Sequence, residues 1–140
     1  MSEEQAQALL QQLQALEAFM ADLMQREEAL MRLLQEATNA VESMKTLNGD
    51  TEYETLFPLG LGAYIKAKVY PNQKTIVNIG AGAAVEQDND SAINYMESRI
   101  KELEVALQQL VGQKHEVALR LEQGQQEMNK LIQSSRSSTK

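Results

Sequence analysis

"LFPLGLGAYIKAKVYPNQKTIVNIGAGAAVEQDND", residues 56–90, is the stretch of this chain in which the hydrophobic period is two. Phe57, Leu59, Leu61, Ala63, Ile65, Ala67 and Val69 are apolar at successive odd positions. The even positions hold Pro58, Gly60, Gly62, Tyr64, Lys66, Lys68 and Tyr70. Tyr70-Pro71-Asn72-Gln73-Lys74 has the composition of a turn. Alternation then resumes with Val77, Ile79, Ala81, Ala83 and Val85. Successive side chains point to opposite faces of a strand, so the pattern predicts strands with one apolar face.

A short repeat lies inside this block. Leu59-Gly60-Leu61-Gly62-Ala63-Tyr64-Ile65 aligns with Ile79-Gly80-Ala81-Gly82-Ala83-Ala84-Val85, twenty residues later. Each Gly-x-Gly after an apolar run looks like half of a phosphate-binding loop. The dinucleotide pattern needs a third glycine where Ile65 and Val85 stand, and both copies lack it. No Gly-Lys-Ser/Thr tripeptide is present for a Walker loop. Alternation runs on through both pairs, so Gly60, Gly62, Gly80 and Gly82 read as bends or bulges within strands.

On either side the period changes to 3.5. From Glu3 to about Leu47 there is no Pro or Gly. Leu13, Met20, Leu34 and Val41 fall at heptad position a, and Leu9, Leu16, Leu23, Leu30, Ala37 and Met44 at d. Glu27 alone breaks the series, at an a position. After the β block, Ile93, Met96, Ile100, Leu103, Leu107, Leu110, Val117, Leu121, Met128 and Leu131 share one register, interrupted by Lys114 at a and Gly124 at d. A heptad sustained this long is a coiled-coil signature. Two helices of equal period and about 45 residues, or roughly 65 Å at 1.5 Å per residue, predict an antiparallel hairpin. Pairing outward from Met44 beside Ile93 brings Glu27 within about a turn of Lys114. Two readings stand there: polar residues that fix the register, or side chains that snorkel to water.

Boundaries follow from local chemistry. Ser2 with Gln5 resembles a capping box, and Asn48-Gly49-Asp50 supplies a stop. Asp88-Asn89-Asp90-Ser91 offers N-cap oxygens to the second helix. The single domain thus divides into an N-terminal coiled-coil helix (1–47), a β block (52–87) and a C-terminal coiled-coil helix (88–133). The Ser-rich remainder, 134–140, reads as disordered. The fold class is α+β.

Composition narrows the function. With 140 residues and no cysteine, the chain is one domain without disulfides or thiolate sites. A formal net charge of −7 argues against nucleic acid, which needs a dense basic face. The first residues lack a signal peptide's basic and apolar regions, and no apolar run approaches a membrane span, so a cytoplasmic protein is expected. The acidic run Glu86, Asp88, Asp90 lacks EF-hand spacing. His115 is the one histidine and sits on an outer helical face, so no catalytic set or metal site can be assembled. The expectation is no enzyme and no cofactor. More informative are apolar residues off the a/d seam: Leu10, Phe19, Met24, Met31 and Leu33, then Val111, Leu119 and Ile132. Near the β block a widened seam explains them. Far from it, nothing in the chain is available to cover Leu10, Phe19 or Ile132, and such patches mark interaction sites.

The order long helix, two glycine-marked hairpins, long helix resembles prefoldin, specifically its archaeal-type α class. The resemblance covers nearly the whole chain. It is carried by Phe57-Pro58-Leu59-Gly60-Leu61-Gly62-Ala63-Tyr64-Ile65-Lys66, with Phe57 where the family usually has Val, and by the stretch Val77 to Glu86. The resemblance implies a hexamer of two α and four β subunits, whose hairpins join into β-barrels. It implies an ATP-independent holdase whose coiled-coil tips capture unfolded proteins and pass them to a group II chaperonin. On this chain the implied tip contacts are Leu9, Leu10, Leu13, Leu16, Phe19, Met20, Leu121, Met128, Leu131 and Ile132. The implied oligomerisation residues are Leu59, Leu61, Ile65, Val69, Val77, Ile79 and Val85. The competing reading is a coiled-coil scaffold or prefoldin-like assembly component that binds no client.

Overall fold

The structure, a computed structural model, describes residues 2–47 and 49–138. Helix α1 (Ser2–Leu47) is followed by strands β1 (Tyr53–Gly60), β2 (Ala63–Val69), β3 (Thr75–Gly80) and β4 (Ala83–Gln87), then helix α2 (Asn89–Ser138). The side chain of Ser2 and all of Asn48 lie outside the described residues, as do the proposed cap and stop that rest on them. Residues 1–32 with 104–140 form one compact unit and 33–103 another.

In the first unit the two helices meet along the a/d seam. Leu23 is fully buried and packs with Leu110 and Val117. Leu16, Met20, Leu30 and Leu121 pack around them. Every described a and d residue of this unit from Leu9 to Leu30 and from Leu107 to Leu131 is buried or half-buried. Glycine at the d position of α2 has a reason in the packing: a methyl group on Gly124 would run into the Leu13 side chain. Gly124 thus lets the helices close where Leu13 fills the seam. The polar interruptions meet as well. Lys114 Nζ donates to Glu27 Oε1 and Oε2 at 3.0 and 3.1 Å, with both side chains about three-quarters covered.

The second unit holds the hairpins and the helix ends beside them. Ala37, Val41, Val77, Ala92 and Ile93 are its buried apolar residues. Asn89 ties three elements together: its Nδ2 donates to Met44 O (2.8 Å), and its Oδ1 accepts from Thr75 Oγ1 (3.1 Å). Asp88 is the N-cap of α2, its Oδ1 accepting from Ser91 N at 2.7 Å. That hydrogen bond, with smaller help from Lys74, holds its carboxyl below the ordinary range.

β1 pairs with β2 and β3 with β4, both antiparallel, as two separate two-stranded sheets. The registers Phe57↔Ile65 and Val77↔Val85 place the odd residues of each hairpin on one face. The glycine pairs, however, are not bends within continuing strands. The chain reverses at Leu61-Gly62 and at Ala81-Gly82, so each alternating run is two strands. In the first turn φ is +51° at Leu61 and +80° at Gly62, the mirror-image geometry that matches strand twist. Glycine is needed there for its φ, since no atom crowds a Cβ at these four positions. Just before each turn the register slips, between Pro58 and Gly60 and between Asn78 and Gly80. The two sequence copies therefore share one bulge-and-turn design. Pro71 and Asn72 (φ +62°) make the link between the hairpins, with Gln73 N donating to Tyr70 O at 3.3 Å.

A second correction concerns the end of α2, which runs to Ser138 rather than stopping at 133. Serine can stay helical by bonding backward, and Ser137 Oγ donates to Gln133 O at 3.0 Å.

Two predictions arise from these contacts. Lys114→Leu leaves Glu27 partly covered without its partner and should cost about 1–2 kcal/mol. Adding Glu27→Leu should restore or exceed wild-type stability but admit a second helix register. Spin-label distances across the seam read this directly, and a single unchanged distance in the double variant refutes the register role. Asp88 has a lowered carboxyl pKa in the fold, so its contribution is present above the unfolded carboxylate range and is lost as pH falls through the folded value. Asp88→Ala should therefore lower the melting temperature at pH 7, with the difference from wild type shrinking to nothing in strong acid.

Candidate functional site

Two surfaces stand out, one in each unit. On the hairpins, Phe57, Leu59, Ile65, Ile79 and Val85 are exposed although they belong to the apolar odd faces. Val69 is half-buried. Val77 is the exception among the expected interface residues: its own chain buries it to 5% exposure, so it belongs to the internal packing and has little surface to offer. Leu61 lies in the turn, fully exposed in a left-handed conformation that costs a non-glycine residue about 1–2 kcal/mol.

An isolated two-stranded hairpin is marginal in water, and its strands leave unpaired N–H and C=O groups on both outer edges. Each large apolar side chain on these faces would gain about 1.5–3 kcal/mol on full burial. Among the described residues nothing covers them. Unsatisfied edges and uncovered apolar faces together mark a candidate assembly surface.

In the first unit the ends of the helices, 3–20 and 117–137, carry the other surface. Of the ten tip residues expected from sequence, Leu9 and Leu13 are buried, while Leu16, Met20, Leu121, Met128 and Leu131 are half-buried. Leu10, Phe19 and Ile132 are exposed. The structure gathers most of them into grooves between the helices. One is lined by Ala8, Leu9 and Leu131 with Gln12 and Glu127 at its rim. On the opposite side, Ala6, Met128, Leu131 and Ile132 line a second. A third places Leu9, Leu13 and Leu16 beside Gly124. Ala6 and Ala8 were absent from the expected contacts because small side chains carry little hydrophobic signal. Their size is what opens the grooves.

A two-helix coiled coil with open apolar ends, joined to hairpins that cannot satisfy themselves, defines a subunit of a larger oligomer. Comparison with known proteins agrees. The family model described as "Prefoldin subunit" matches residues 2–134. The chain is 50% identical over 138 residues to the prefoldin subunit alpha of Nitrosopumilus maritimus, covering 99% of this chain and 95% of that one. A crystal structure of the prefoldin beta subunit from Thermococcus strain KS-1 has a TM-score of 0.63 at 19% identity, covering 90% of each chain. A cryo-EM structure of filamentous PFD from Methanocaldococcus jannaschii has a TM-score of 0.52 at 26% identity, covering 86% of this chain and 94% of that one. The chain belongs to the prefoldin family, as a subunit of its archaeal-type α class. It is a chaperone component that works in oligomeric form. Among the described residues, no helix is long and apolar enough to cross a membrane.

The hairpin faces give a direct prediction. Phe57→Asp with Ile65→Asp should abolish co-assembly with a β-class prefoldin subunit, read as loss of the complex in native mass spectra. Helix content by circular dichroism should stay within error of wild type, because both positions are exposed in the single chain.

Proposed function

We propose that this subunit captures unfolded proteins at its coiled-coil tips, without nucleotide, and hands them to a group II chaperonin. The assembly in which it does so is a cytoplasmic hexamer of two such subunits and four of the β class, joined through the hairpin faces. The chain acts by binding and carries out no catalysis of its own.

The observation that carries this reading is the tip. Apolar grooves lined by Leu9, Leu131 and Ile132 open between the helices, and Leu10, Phe19 and Ile132 stand half exposed beside them. Helix ends with few tertiary contacts open at low free energy, so Leu13, Leu16, Met20, Leu121 and Met128 become available when a client displaces the partner helix. Leucine and methionine adapt to irregular apolar partners, which suits a binder of many non-native chains. A scaffold that only spaces its ends apart would carry charge at Leu10, Phe19 and Ile132.

The test uses the hexamer reconstituted with β-class subunits. Removing residues 1–16 and 121–140 from this chain should leave the complex assembled but reduce its suppression of aggregation of a denatured client several-fold. Unchanged suppression by the truncated complex would remove the tip assignment.

A further inference from the structure

The sides of the first unit's coiled coil are chemically unequal. Heptad positions e and g flank the seam, and the pseudo-two-fold axis of an antiparallel pair places e beside e and g beside g. The grooves confirm this pairing. Glu3 and Ile132, both at e, line the same groove, whereas Gln12 and Glu127, both at g, line the other.

On the e side, among Glu3, Glu17, Glu104 and Gln125, stand six apolar residues: Leu10, Met24 and Met31 of α1, with Val111, Ala118 and Ile132 of α2. All six are exposed. Among the described residues of this unit eight large apolar side chains are exposed, and five of them are in this set; Phe19, Val105 and Leu119 are the others. The g side carries Gln5, Gln12 and Arg26 of α1 and Gln113, Arg120 and Glu127 of α2, with Phe19 as its one exposed large apolar residue among those described in this unit. Exposed methionine and aliphatic residues recurring on one side every seven positions form a stripe. From Leu10 to Met31 it runs roughly 32 Å at 1.5 Å per residue.

We propose that this stripe is a track for unfolded polypeptide that starts at the tip with Leu10 and Ile132 and, past the polar positions Glu17 and Gln125, resumes at Met24, Met31 and Val111. The proposal rests on client capture at the tip. The occupant is a non-native segment that is apolar and has neutral or basic flanks. Its length is set by the stripe: roughly ten residues of extended chain at 3.3 Å each. Its charge is set by the border. The bordering positions are Gln7, Gln14, Ala21 and Glu28 on α1 and Gln108, His115, Glu122, Asn129 and Arg136 on α2. With Glu3, Glu17 and Glu104 on the e side itself, five carboxylates stand there against the one guanidinium of Arg136 beside Ile132. A second copy of this chain fits poorly, since each copy carries a formal charge of −7.

The test compares three hexamers: wild type, Met24→Gln/Met31→Gln/Val111→Gln, and the control Val105→Gln/Leu119→Gln on the outward face. Reduced, unfolded lysozyme serves as a basic client and reduced α-lactalbumin as an acidic one. The stripe variant should weaken lysozyme binding about five- to tenfold, with the control unchanged and wild type preferring lysozyme over α-lactalbumin. If the stripe variant binds like wild type while the tip truncation loses binding, the track is refuted and tip capture stands. If neither change affects binding, tip capture fails as well. A stripe variant that instead loses subunits in native mass spectra marks the stripe as an interface between chains, which also overturns the inference.

Discussion

The apolar seam between α1 and α2 is the interaction on which everything else in the chain depends. Leu23, completely removed from solvent between Leu110 and Val117, shows its strength at the centre of the first unit. The seam stays narrow there because a two-helix coil can bury only its a and d positions. Among the described residues of this unit, what stands at e, f and g remains exposed whatever its chemistry, with half-buried Ala106 the exception. That limitation is what gives the protein its surfaces. A third helix would stabilise the coil, but it would also cover the grooves at Leu9, Leu131 and Ile132.

The hairpins carry the opposite constraint. Their apolar odd faces and unpaired edges cannot be satisfied by four short strands in two separate sheets. Asn89, bonded to Met44 and Thr75, fixes the second hairpin against the ends of both helices, so the face is presented in a defined direction. Assembly and binding thus use the same physical device, apolar surface left uncovered. On the proposed function they differ in what covers it: a partner with complementary strands in one case, and disordered chains in the other.

The seam was legible from sequence because it repeats. Every described a and d position from Leu9 to Leu131 is at least half-buried, and the predicted approach of Glu27 to Lys114 is a 3.0 Å ion pair. The glycine pairs marked the two hairpins, but the alternation ran on through them and hid where each turn falls. Hairpins of this geometry favour Asn-Gly, but here Leu61 and Ala81 occupy the left-handed positions and continue the odd-numbered apolar pattern. The tail failed for another reason: Ser134–Ser138 lacks an apolar face, yet a helix already nucleated by α2 needs only backbone bonds to continue. The grooves were partly legible. Sequence placed Leu9 and Ile132 at the tip, but the opening left by Ala6 and Ala8 depends on two helices being side by side.

The central claim is that assembly and client capture occupy different parts of one chain. Hydrogen–deuterium exchange on the reconstituted hexamer, with and without an unfolded client, tests it in one measurement. The account predicts that assembly protects residues 53–87 and that client adds protection within 3–32 and 104–137 alone. Client-dependent protection concentrated in the hairpins, with the helix ends unchanged, would contradict it.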